Sequence, residues 1–151
     1  MKATITSYLN NITIEESSLK VSVQSFSYSV LSVTDSVIVE KVAGSTIGSH
    51  KIVKLGSDGL LYYASCDNLS DVDKIVGLSL NSANYGEAVK VLVFGRISDT
   101  SFNFDTEKPI FLGINGQIVQ ETPQSALFIQ RIGKVLRSEE IIIDLDEPII
   151  L

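Results

Sequence analysis

The feature that most constrains this chain is where its turn-forming residues lie. All ten glycines fall between Gly44 and Gly133, and the first of three prolines is Pro109. Glycine reaches backbone angles closed to other residues and proline presets its own, so tight turns draw on both. The first 43 residues therefore have few means of folding back on themselves, whereas the remainder can turn often. A boundary is expected near residues 36–43. It would separate an N-terminal arm, residues 1–36, from a β domain, residues 37–151.

Within the arm, apolar and polar residues alternate in Ile12-Thr13-Ile14, Leu19-Lys20-Val21-Ser22-Val23 and Phe26-Ser27-Tyr28-Ser29-Val30. A period of two marks half-buried strands. A rival pattern overlies it: Ile5, Ile12, Leu19, Phe26 and Val33 recur every seven residues, with Leu9, Val23, Val30 and Val37 between them, as in a coiled-coil seam. Lys2 and Glu16 interrupt the second row, and Ser, Thr and Val are mediocre helix formers. The arm is expected to be extended, with a coiled coil as the alternative. In either form its apolar positions need partners, which suits an element for attachment or trimerisation.

Downstream, short apolar runs alternate with turn signals, the pattern of a compact all-β barrel or sandwich of antiparallel strands. Strands are expected at 37–42, 51–55 and 60–64, the last two joined through Ser57-Asp58-Gly59. A further strand at 76–80 turns through residues 81–86 into 87–97, where Val89, Val91, Val93 and Ile97 share one face. Leu92 and Phe94 make its other face apolar, so this strand is expected to be covered on both sides. Residues 109–113 and 117–121 should pair across Ile114-Asn115-Gly116. Strands at 127–136, 141–145 and 149–151 complete the set, with Gly133 marking a bulge or bend.

Composition narrows the function classes. A chain with 44% hydrophobic residues can bury one sizeable core but hardly two. Its net charge of −6, with only 12 Lys and Arg scattered along it, argues against nucleic acid, which is held by clustered cations. Residues 1–16 lack the roughly 7–15-residue apolar stretch of a secretory signal. No apolar run approaches the ~20 residues of a membrane-spanning helix, so neither membrane nor export is expected. Without a secretory signal, the sequons at Asn11 and Asn68 read as chance matches.

Few residues could carry chemistry. Cys66 and His50, each the sole residue of its kind, could form a thiolate and base, but nothing around Ser65-Cys66-Asp67 signals a nucleophile, and a buried thiol is the expected state. Asp67, Asp71 and Asp73, and again Asp144, Asp146 and Glu147, offer oxygen ligands without matching a calcium loop; Asp144 and Asp146 are expected on a solvated strand face. Paired carboxylates could also cleave glycosides, though nothing in the sequence fixes their separation. Tyr62, Tyr63, Tyr85, Phe102 and Phe104 could stack on a sugar if exposed together. The Gly44–Gly48 segment lacks the Gly-Lys-Ser/Thr ending of a phosphate loop. No catalytic, cofactor or metal residue is therefore assigned.

Over residues 37–151 the chain carries a series of motifs in order: Val37-Ile38-Val39-Glu40-Lys41-Val42-Ala43-Gly44, Asp58-Gly59, Ile75-Val76-Gly77-Leu78-Ser79-Leu80, Gly86-Glu87-Ala88-Val89-Lys90-Val91 and Gly95. These are followed by Lys108-Pro109-Ile110-Phe111-Leu112-Gly113-Ile114-Asn115-Gly116, Thr122-Pro123, Gln130-Arg131-Ile132-Gly133-Lys134 and Pro148-Ile149-Ile150-Leu151. In this the chain resembles bacteriophage virion structural proteins of the head-fibre or capsid-decoration type. The resemblance implies a non-enzymatic β scaffold located on a virion, assembled as a homotrimer and attached to the major capsid protein or another virion protein. Its alternatives are a tail, collar or baseplate component, and a fibre-tip module that binds a cell-surface glycan or receptor.

Overall fold

The computed structural model describes residues 36–151 in full and, upstream, the backbone of Lys2–Ile5 and Ile12–Glu15. The chain divides into two compact units, residues 1–35 and 36–151. In the first, β1 (Lys2–Ile5) pairs antiparallel with β2 (Ile12–Glu15), Ile5 standing opposite Ile12. The alternating runs at 19–23 and 26–30, the heptad alternative and the arm's proposed role lie outside the described residues.

The second unit is all-β, with no α-helix among the described residues. Its strands are β3 (Ser36–Val42), β4 (Ile52–Leu55), β5 (Leu61–Tyr63), β6 (Ile75–Ser79) and β7 (Ala88–Ser98), followed by β8 (Ile110–Leu112), β9 (Ile118–Val119), β10 (Phe128–Ile129), β11 (Arg131–Arg137), β12 (Glu140–Ile143) and β13 (Ile149–Ile150). Every strand pair is antiparallel, and the main sheet runs β5-β4-β6-β7-β12-β11-β8-β9 with β3 added to β7. It curls into a half-barrel. Ser57-Asp58-Gly59 closes the β4–β5 hairpin, and Asn115, at φ 52°, makes the turn between β8 and β9.

The curl is organised by β7. One edge of this strand carries β3; the other pairs first with β6 at Val91 and Leu92 and then with β12 from Gly95 to Ser98. The curl also brings the end of β3 to β5, where Ala43 bridges Leu61 and the Gly44 amide donates to the Leu61 carbonyl at 2.8 Å. Strands β3 to β7 thus surround a small core of Ala43, Ile47, Val53, Leu61, Val89 and Val91. A larger core of Ile52, Leu78, Leu92, Phe128, Ile132, Ile141 and Ile143 fills the other side. At about 1.5–3 kcal/mol for each large apolar side chain fully buried, the two clusters supply the main driving force of this unit. One domain therefore divides its interior in two, where composition led us to expect a single core.

Two strand expectations need correcting. Opposite the Val37–Ile38 step, β7 contains the extra residue Val93, since Val37 pairs with Phe94 but Ile38 with Leu92. A bulge of one residue inverts the alternation beyond it. Val89 and Val91 consequently face the small core and Ile97 packs against the large one, while Leu92 is buried and Phe94 turns outward, 44% exposed. The expected strand at 127–136 is two strands. Cys66 accepts from the Leu127 amide at 2.8 Å, and β10 leaves the main sheet to pair with β13. A register shift does occur between Arg131 and Gly133 against β8.

Candidate functional site

Cys66 is fully buried between β5 and the 3-10 turn Leu69–Asp71, its amide donating to the Gly113 carbonyl at 3.1 Å. Burial, then the charge of Asp67, raises its thiol pKa, the opposite of what a nucleophile needs. His50 engages other residues: its imidazole lies 3.7 Å from the Asp99 carboxylate and meets the Phe102 ring edge-on at 5.0 Å. We expect the native protein to resist alkylation of Cys66 by iodoacetamide at pH 8 and to react fully once unfolded in urea. Rapid native labelling, followed by mass spectrometry, would contradict the buried thiol.

The acidic clusters separate into structural groups. Asp71 is fully buried, pairs with the Lys54 ammonium, and accepts from the Ser65 amide at 2.9 Å and the Asn68 side-chain amide at 3.1 Å. Asp67 accepts from the Ser65 hydroxyl at 2.5 Å, and Asp73 is exposed. Strand β12 ends at Ile143, so Asp144 and Asp146 lie beyond it and not on a strand face; the Asp146 carboxylate pairs with Arg131 at 2.8 Å. Among the described residues no group of three His, Cys, Asp or Glu is placed to hold a metal ion.

The tyrosines also serve the scaffold. Tyr62 donates its hydroxyl to Asp58 at 2.7 Å, and the Leu60 amide donates to the same carboxylate at 3.0 Å. Leu60 first, then Tyr62, lowers the Asp58 pKa, so this turn keeps its charge until pH falls below the ordinary carboxylate range. The Tyr63 hydroxyl accepts from the Gly48 amide at 2.8 Å. In the glycine-bearing segment the amides of Gly44, Ile47 and Gly48 are engaged by protein acceptors. Tyr85 stands exposed and Phe102 is buried, so the aromatics do not form one shared exposed patch.

Besides a groove of about 420 Å³ between the 55–57 turn and residues 73–76, two surface features stand out. The first is a groove of about 410 Å³ lined by the 49–51 loop, the 101–104 loop and Gln117-Ile118. Its wall includes His50, Phe102 and Phe104, the two phenyl rings 5.4 Å apart. The sequence offered Phe102 and Phe104 as stacking residues but not Lys51 or Gln117, because the three segments are distant along the chain and only the sheet brings them together. The second is an exposed apolar pair: Val37 and Phe94 stand opposite each other and point outward; elsewhere Ile38, Leu136 and Ile149–Leu151 are exposed. Arg96, Ile142 and Lys134 form a cross-strand row on the same outer face as Phe94. In comparison with known proteins, no family model and no curated protein sequence matches the chain.

Proposed function

We propose that this chain is a non-enzymatic structural protein of a bacteriophage virion, decorating the capsid or forming a short head fibre as a homotrimer. The observation that carries this reading is the outward-facing cross-strand pair of the β domain, Val37 at 49% and Phe94 at 44% exposure, and the C-terminal Ile149, Ile150 and Leu151 are each more than 60% exposed as well. Large apolar side chains left exposed side by side favour association with a partner, and repeated weak contacts gain avidity on a symmetric shell. The residues most suited to nucleophilic or metal chemistry, Cys66 and Asp71, are buried and engaged in holding loops together. The chain's resemblance to virion scaffolds supplies the particle to which such a surface would attach.

Light scattering on a sizing column is expected to give about three times the 16.4 kDa of one chain. Phe94→Glu should shift the mass to that of the single chain without loss of the far-UV circular dichroism signal. A monomeric wild type would overturn the homotrimer, and a trimeric Phe94→Glu would remove this surface as its basis.

A further inference from the structure

The geometry points to the groove beside His50 as a binding site for an acidic pyranose, a uronic or sialic acid unit of a glycan. Its volume of about 410 Å³ falls within the range of small-molecule sites and is small for a folded partner. One wall is aromatic: Phe104 is half-buried and rests on Phe102, which His50 meets edge-on. The Phe104 ring offers an apolar surface of the kind that accepts the C–H face of a sugar ring. Ser49, Lys51, Ser101 and Gln117 complete the lining, residues that carry hydroxyl, ammonium and amide groups. A ligand with an apolar face and many hydroxyls matches this mixed lining.

Charge then selects among sugars. The chain carries −6, yet no carboxylate lines this groove. Asp99, next to the lining but not part of it, lies 3.7 Å from the His50 imidazole and accepts from the Ser101 amide at 2.8 Å. Among the described residues no carboxylate pairs with Lys51, whereas Lys54 and Lys108 both have acidic partners. An unpartnered ammonium in this lining gives a ligand carboxylate a charge-assisted hydrogen bond, roughly twice as strong as a neutral one.

The backbone beneath the groove is held in advance of binding. The His50 amide donates to the Ser79 carbonyl at 2.8 Å, and the Lys51 amide donates to the Ser79 hydroxyl at 3.0 Å. That hydroxyl donates in turn to the Gly48 carbonyl at 2.7 Å. On the other side, the Phe104 amide donates to the Ser138 carbonyl at 3.0 Å. Such anchoring reduces the ordering cost of binding. The proposal stands whether or not the chain belongs to a virion.

The test is titration of the isotopically labelled full chain with D-glucuronic acid, N-acetylneuraminic acid, D-glucose and sodium acetate, followed by amide NMR. The acidic sugars are expected to give saturable shifts confined to residues 49–51, 101–104 and 117–118. Lys51→Gln should weaken binding roughly tenfold, and Lys90→Gln on exposed β7 should leave it unchanged. Phe104→Ala should weaken it as well, but Lys51→Gln removes no buried apolar group and so decides the matter if Phe104→Ala does not fold. Absence of localised shifts at tens of millimolar, equal affinity for glucose, the same saturation by acetate alone, or undiminished binding to Lys51→Gln would each overturn the proposal.

Discussion

Gly77→Ala is expected to destabilise the β domain by about 3–5 kcal/mol, a large share of the roughly 5–15 kcal/mol available to a typical domain. Gly77 sits in β6 at φ 155°, opposite Val53 of β4 and next to the Leu78–Leu92 pair. A Cβ placed there would collide with the Leu92 carbonyl oxygen and approach its carbon at 2.9 Å. These are backbone atoms of the central strand, which cannot rotate away as a side chain would. Two costs combine: a backbone conformation unsuited to an L side chain, about 1–3 kcal/mol, and crowding of comparable size.

Gly86→Ala separates the two costs, because Gly86 has φ 84° but open space where its Cβ would lie. That variant is expected to lose only the conformational part, about 1–2 kcal/mol. The chain contains no Trp, so unfolding is best followed by far-UV circular dichroism in urea. With a slope of about 1–3 kcal/mol per molar, Gly77→Ala should lower the midpoint by about 2 M. If it fell no further than Gly86→Ala, close approach between β6 and β7 would not be what requires glycine at residue 77.

The same bulges and close approaches explain which parts of the fold could be read from sequence. The strands at 37–42, 52–55, 75–79 and 110–112 were visible because apolar runs there end at turn residues, and Asp58-Gly59 and Asn115-Gly116 state their turns locally. The outward turn of Phe94 was not visible. It depends on Val93 lacking a partner on β3, which is a property of two strands together and has no marker in either alone. The break at Gln130 likewise has no local marker, because it reflects β10 pairing with β13 while β11 pairs with β8. At the groove the aromatic residues were evident as candidates, but Lys51 and Gln117 became relevant only once three loops met. Cys66 was readable as a buried thiol because nothing in Ser65-Cys66-Asp67 signals a nucleophile, and it is buried in the structure.

Asp71→Ala is expected to cost about 3–5 kcal/mol, the size usual when one partner of a buried ion pair is removed. The Asp71 side chain is 1% exposed and that of Lys54 19%. Without the carboxylate, the ammonium on β4 loses its counter-charge and the Ser65 amide loses its acceptor at 2.9 Å. The 3-10 turn at Leu69–Asp71 would then be tied to β4 and to the chain beyond β5 much less firmly. Lys54→Met should also be costly, since it leaves a buried carboxylate supported only by hydrogen bonds from Ser65, Asn68 and Ser70. In the double variant neither charge remains to be stranded, so its loss should fall short of the two single losses added together, by about 1–3 kcal/mol. Urea denaturation of the four proteins measures that difference. Strict additivity would refute the pairing of Lys54 with Asp71 as a stabilising unit. If Asp71 instead served as a metal ligand, Ca²⁺ would raise the melting temperature of the wild type and not of Asp71→Ala; the ion pair predicts no effect of Ca²⁺ on either, because the Lys54 ammonium already occupies the position a cation would take.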